Sequence, residues 1–208
     1  MKLRRLRRGE LPSDTIALAH ALLGAIVVSD GAQGRTAARI VESEAYLPGD
    51  PSSHAFRGMS ARNASMFGRR GCAYVYFIYG SSFCLNVASE RTGVGAAVLL
   101  RAGEPLLGLE LMRARRGPGV SERDLCRGPG RLCTALGIDR RADGLDLVRA
   151  GPLWLAAAAR PPAAFGTSPR IGLSENGAAQ WPLRFFEIGS PFVSGPRARM
   201  PSGGAART

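Results

Sequence analysis

Residues 71–89 read GCAYVYFIYGSSFCLNVAS. Two runs rich in tyrosine, phenylalanine, valine and isoleucine flank Gly80, Ser81 and Ser82. β-Branched and aromatic side chains suit a pleated, half-buried strand, while glycine and serine supply a turn. The stretch therefore predicts a β-hairpin with antiparallel neighbours. Along such a strand Tyr74 and Tyr76 share one face, whereas Tyr79 takes the other and sits at the tip. With a loop of three residues, 80–82, Tyr76 falls opposite Asn86 and sets an aromatic surface beside an amide. Tyr74 reads as core. Tyr79, an aromatic at an exposed tip, reads as a stacking or wedging residue.

Working downstream, GAAVLLRA (95–102) supplies a third strand for the same sheet, and Glu104, Pro105 and the Leu-rich segment to Arg116 predict a helix with basic residues in its last turn. Ser121 and Asp124 can cap a short helix. In RGPGRLCTALGI (127–138) Pro129 starts another, whose free backbone N–H groups lie between Arg127 and Arg131 and form a candidate phosphate site. Residues 139–162 alternate turns with short apolar pieces, and LRFFEIGSPFVS (183–194) predicts a last strand or strand pair. Upstream, Ser13 or Asp14 can cap a helix that Gly24 closes. AIVVS (25–29), the turn-forming DGAQG and a longer strand to Tyr46 then predict a second hairpin. Residues 47–70 form a loop too long for an idle connection.

The expected fold is a single α+β domain: a mostly antiparallel, curved sheet with a protruding hairpin and surrounding helices. It spans residues 11–194, between a basic arm at 1–10 and a flexible basic tail at 195–208. At 208 residues with 45% apolar content, the chain can fill one substantial core.

The net charge of +12 points to a polyanionic partner, nucleic acid before membrane, because the arginines are scattered and form no single amphipathic stripe. Lys2 is the only lysine, which argues against a Schiff-base mechanism through the folded body. Four cysteines without CxxC spacing and only two histidines give little for a metal site, and the cysteines read as buried thiols in a reducing compartment. No metal or organic cofactor is expected. The apolar run from Thr15 to Val28 is too short to span a bilayer and is broken by polar residues, so it reads as helix and strand, and the expected location is cytoplasmic, or nucleoid-associated in a bacterium.

Residues 39–50 read RIVESEAYLPGD. Strand alternation sends Ile40, Glu42, Glu44 and Tyr46 one way and Arg39, Val41, Ser43 and Ala45 the other. Glutamates are poor strand formers and costly to bury, so each either faces solvent, the ordinary outcome, or is retained for chemistry.

Taken together, RIVESEAY, RNASMF, YVYFIYG with FCLNV, VLLRAGEP and DLCRGPGRLC resemble the alkyladenine (3-methyladenine) DNA glycosylase family of the mammalian type, from about Leu11 to Ser194. The resemblance implies a monofunctional enzyme, without cofactor and monomeric. It would rotate a damaged purine (3-methyladenine, 7-methylguanine or hypoxanthine) out of duplex DNA and hydrolyse its N-glycosidic bond, leaving an abasic site.

It also implies roles. Glu44 is the general base and holds a water together with Arg101, leaving Glu42 structural or solvent-facing. Tyr46, His54 and Tyr76 sandwich the base, and Asn86 gates against normal guanine. Tyr79 fills the gap in the duplex. Arg62, Asn63 and Met66 lie near the DNA backbone, and Gly128, Pro129 and Arg131 hold phosphate. Ser81 and Ser82 make a smaller tip than the family usually carries. Two rival readings stand beside this one. One is a non-enzymatic nucleic-acid-binding protein. The other is a carbohydrate hydrolase using Glu42 and Glu44, which i and i+2 spacing would set about 6.6 to 7 Å apart.

Overall fold

The structure, a computed structural model, describes residues 2–78, 80–158, 164–173 and 178–195. Tyr79 and almost all of the basic tail lie outside the described residues. In chain order the elements are α1 (Thr15–Leu22), β1 (Ile26–Gly31), β2 (Gly34–Tyr46), β3 (Ala73–Ile78), β4 (Ser82–Ala88), β5 (Ala97–Leu107), α2 (Leu109–Arg116), α3 (Pro129–Leu136), β6 (Leu153–Ala156), β7 (Phe165–Ser168) and β8 (Arg184–Glu187).

Every strand pairing is antiparallel, and the eight strands form one curled sheet ordered β3-β4-β5-β2-β1-β6, with β8 and β7 branching from β2. The α+β reading of the sequence holds. β2 is the hub. β5 follows one of its edges from Ala37 to Tyr46, while the other edge is shared, β1 taking the first half and β8 taking Glu42, Ser43 and Glu44.

Local chemistry accounts for the helices. The Asp14 carboxylate caps α1 by accepting from the Ala17 N–H at 2.7 Å. Pro129 opens α3 and Gly137, in the left-handed region, closes it. Leu18 and Leu22 of α1 and Leu132 and Leu136 of α3 pack on Ile40, Ala45, Val75, Leu85, Val98 and Leu100, filling one face of the sheet. Within the predicted N-terminal arm, Leu6 N–H donates to Leu155 O at 2.9 Å and the Arg5 guanidinium sits 4.2 Å from the Trp154 ring.

Four sequence expectations need correction. Glu104 and Pro105 belong to β5, because Glu104 pairs across from Arg39 and binds its Nε at 2.7 Å, and Pro105 falls at a register shift where a missing N–H is tolerated. The β3–β4 hairpin pairs as far as Ile78 opposite Ser82, so Tyr76 faces Cys84, and it is Tyr74 that faces Asn86. Alternation along β2 breaks between Ile40 and Ser43, where the β2–β5 register shifts on both sides of Glu42. Ile40 and Ala45 consequently both reach the main core, so Ile40 does not share the face of Glu42 and Glu44. Finally, Cys84, Cys126 and Cys133 are free, buried thiols, but Cys72 is only half-buried. Among the described residues no helix is long and apolar enough to cross a membrane.

The turn from β5 into α2 passes through Gly108, at φ +74°, where a Cβ would lie 2.4 Å from Arg35 O. Gly108→Ala should cost about 2–4 kcal/mol and lower Tm by roughly 4–16 °C. A melting curve identical to wild type would contradict this close approach.

Candidate active site

Glu42 and Glu44 are both fully buried, at 0% exposure, so neither takes the solvent-facing outcome. What holds them is Arg101 on β5, itself buried, whose Nε donates to Glu42 Oε1 and whose second nitrogen donates to Glu44 Oε2, each at 3.1 Å. Two like charges two residues apart would otherwise drive one carboxyl to protonate.

The glutamates then differ in what else they accept. Glu42 also receives Arg184 Nε at 2.7 Å, Ser194 N–H at 2.6 Å and Ser194 Oγ at 3.0 Å. Three of these four donors converge on Oε1, and only the Ser194 N–H reaches Oε2. Glu44 receives Arg101, the Tyr46 hydroxyl at 3.1 Å and the Ile171 N–H at 2.8 Å. Two of these donors share Oε2, and among the described residues Oε1 accepts from the Ile171 N–H alone, which leaves it a lone pair for a further proton. Burial raises the Glu44 carboxyl above its ordinary pKa, an effect that Arg101, the Ile171 N–H and the Tyr46 hydroxyl oppose. A carboxyl whose pKa lies above its ordinary value can exchange a proton closer to neutral pH.

Against this cluster lies a cavity of about 340 Å³, whose wall includes Tyr46, His54, Met66, Tyr74, Tyr76, Cys84, Asn86, Arg101, Pro129 and Ile171. That volume lies in the range of small-molecule sites. The His54 ring meets Tyr76 edge-on with centroids 4.6 Å apart, and its Nδ1 bonds the Tyr74 hydroxyl at 2.8 Å. Asn86 donates Nδ2 to Tyr74 O at 3.0 Å, which leaves its carbonyl oxygen for a ligand. Desolvation and the Arg62 charge lower the His54 pKa, so its imidazole is mainly neutral at pH 7.

The profile of the methylpurine-DNA glycosylase family matches residues 10–191. The chain belongs to this family. It is a DNA glycosylase, a hydrolase of the N-glycosidic bond. Three relatives bear the name "Putative 3-methyladenine DNA glycosylase". That of Mesorhizobium japonicum is 55% identical, covering 93% of this chain and 91% of its own. Those of Paraburkholderia phytofirmans and Methanoculleus marisnigri are 50% and 46% identical, covering 97% and 87% of this chain and 94% of each relative.

In the glycosylase the predicted site residues separate into groups. Arg101, Tyr46, His54, Tyr76 and Asn86 line the cavity, and Glu44 lies directly behind that wall, bonded to Arg101, Tyr46 and Ile171. Met66 is buried in that wall with Tyr74 and Ala97, so its side chain is not free for the DNA backbone. The Asn63 side chain is also buried: its amide donates to His54 O and Gly58 O while its oxygen accepts from Ser60, which staples the loop carrying His54. Arg62 is exposed on the same loop. At the start of α3, Arg131 is exposed, whereas Arg127 is tied to Asp124 and Val193 O. Pro129 reaches the cavity, and Gly130 packs so closely on Ser82 that a Cβ would meet it at 2.8 Å.

Sequence reasoning missed the segment that closes over Glu44. Arg170, just before Ile171, is buried and forms a two-pronged ion pair with buried Asp50. It donates to Ala45 O at 3.0 Å and lies 4.6 Å from the centre of the Tyr46 ring. Its partner is 120 residues away, so no local spacing announces the pair. Removing one member leaves a buried charge uncompensated, so Arg170→Ala should lose about 3–5 kcal/mol and lower Tm by roughly 10 °C. Replacing both partners with apolar residues, as in Arg170→Met with Asp50→Leu, should restore much of that loss. A single variant melting like wild type would contradict the pairing.

Proposed function

We propose that the enzyme extrudes 3-methyladenine, and more broadly alkylated or deaminated purines such as 7-methylguanine and hypoxanthine, from duplex DNA, leaving an abasic site for base excision repair. The observation carrying this reading is the buried Glu44 carboxylate, which is bonded to three wall residues of an aromatic cavity, one of them the Arg101 guanidinium, and which among the described residues keeps a lone pair of Oε1 open. The names of the relatives support the first substrate.

In this mechanism a water is held between Glu44 and Arg101. Its oxygen attacks C1′, its proton passes to Glu44, and the bond from C1′ to the purine nitrogen breaks with the electron pair leaving on the base. Glu44 also stabilises the positive charge that develops on the sugar. An alkylated, cationic purine leaves as a neutral molecule, whereas hypoxanthine must gain a proton at N7. Tyr46, Tyr76 and His54 hold the base, and Asn86 acts as a steric gate. Tyr79, between β3 and Gly80 in the sequence, replaces the stacking lost on extrusion. Arg62, Arg131 and the N-terminus of α3 at Gly128 and Pro129 hold phosphate. The rival carbohydrate hydrolase needs a second working carboxyl at the cavity, and Glu42 bonds only one wall residue, Arg101, its other partners being Arg184 and Ser194, whereas all three partners of Glu44 line the wall.

A duplex labelled and carrying 3-methyladenine or hypoxanthine, treated with enzyme and then alkali, should break at the lesion. Glu44→Gln should slow this by roughly 10² to 10⁴, about 3–5 kcal/mol, while still binding damaged duplex. Undiminished turnover would remove Glu44 from the role of base.

The pH dependence follows from the raised Glu44 pKa. As base it must be ionised, so single-turnover rate on a methylated purine should fall as pH drops through a value above the ordinary 4.5 and stay level above it. Stability runs the other way. The folded chain binds this proton more tightly than the unfolded chain, so the contribution is present at acid pH and is lost as pH rises through the raised value. Glu44→Gln should abolish both trends, and an acid limb at or below 4.5 in the wild-type rate would contradict the assignment.

A further inference from the structure

The β3–β4 hairpin has two faces, and only one belongs to the cavity. Tyr76 and Cys84, a cross-strand pair, line the cavity. The next pair, Phe77 and Phe83, lies on the opposite face by strand alternation, with ring centres 5.0 Å apart and planes at 52°. Phe77 remains 47% exposed. A lone exposed apolar side chain needs no explanation, but these two rings share an open hollow of about 730 Å³ with Ala61, Arg62, Tyr76 and Arg140. Tyr76 is therefore a wall common to the hollow and the cavity.

The hollow joins apolar rings to positive charge. Arg140 is anchored by a bond from one guanidinium nitrogen to Val75 O at 2.7 Å and lies 3.5 Å from Asp143, yet its side chain is half exposed. Arg62 is exposed and makes no ion pair among the described residues. Aromatic faces on which a base can stack, with guanidinium groups for its phosphate, are the means by which proteins hold unpaired nucleotides.

We propose that this hollow is a second nucleotide subsite, which takes the neighbour of the extruded nucleotide on the damaged strand. Its base stacks on Phe77 and Phe83, and its phosphate lies at Arg62 and Arg140. The charge of the hollow suits a nucleotide, and the shared Tyr76 wall sets it next to the cavity. This inference rests on reading that cavity as the pocket for an extruded purine, and it extends that reading to the sequence around the lesion. Stacking on the platform favours a purine over a pyrimidine beside the lesion.

Affinities for duplexes containing a tetrahydrofuran abasic analogue test the subsite. They are measured for wild type, Phe77→Ala and Phe77→Leu, with the flanking bases intact and with either one removed. Both variants should bind the intact duplex roughly tenfold more weakly, the loss expected when one stacking ring is deleted. With the flanking base removed on the side that the hollow serves, wild type should weaken to match, and all three proteins should agree within about twofold. Leucine keeps the apolar bulk and guards against a folding artefact. Variants binding the intact duplex like wild type, or losing equally on every duplex, would overturn the subsite. Wild-type excision of 3-methyladenine is followed in parallel. If it is absent, the parent reading fails and takes the subsite with it; if it is present while Phe77 is indifferent, only the subsite fails.

Discussion

The bridge made by Arg101 between Glu42 and Glu44 is the constraint on which the rest of the structure depends. Two buried carboxylates on one strand face are tolerable only with matching cations, and the second is Arg184, from β8. That balance demands a particular sheet. β5 must lie on one side of β2 to deliver Arg101, and β8 must lie on the other to deliver Arg184, with Ser194 arriving just beyond it. The forked edge of β2, where β1 gives way to β8, is thus tied to the charge cluster.

The crowd of donors on Glu42 has a second effect. Glu42, itself held by Arg184 and Ser194, fixes the Arg101 guanidinium, so the nitrogen aimed at Glu44 is held in place. The register shifts around Glu42 accommodate this crowding. Arg170 and Asp50 perform the analogous service for the other Glu44 oxygen, since anchoring Arg170 sets the position of the Ile171 N–H. Each working atom is held by a group one step removed, which is how buried polar clusters become rigid.

Much of this was legible in the sequence where the signal is local. The β3–β4 hairpin, the β1–β2 hairpin, the cap of α1 and Pro129 at the start of α3 all follow from short-range patterns. The path of Glu104 and Pro105 was not legible, because their strand state comes from pairing with Arg39 and Ala38, some 65 residues away. The hairpin register slipped by the placement of its loop, and Ile40 changed face at an irregularity that alternation cannot foresee. In the candidate site, Glu44 and the aromatic residues carried recognisable motifs. Arg170, Arg184 and Ser194 did not, because they sit in ordinary turn and strand text and acquire meaning only from partners 120, 142 and 152 residues distant.

The charges of the chain are divided between interior and surface, and the division bears on leaving-group chemistry. Near the cavity, Arg101 and Arg184 offset Glu42 and Glu44, and Arg170 offsets Asp50. Burial raises the pKa of Tyr46 and Tyr76 and brings Tyr74 to about 12, so all three phenols stay protonated, and His54 stays mainly neutral. Among the described residues the cavity wall therefore offers no strong acid near pH 7. On the proposed mechanism, a purine made cationic by alkylation brings its own activation and meets aromatic faces that favour positive charge. A neutral deaminated purine must take its proton from water, so its departure is the slower even when it fits the same walls. Selectivity in such a site arises from the strength of the bond being broken, and shape decides only which bases are admitted to the test.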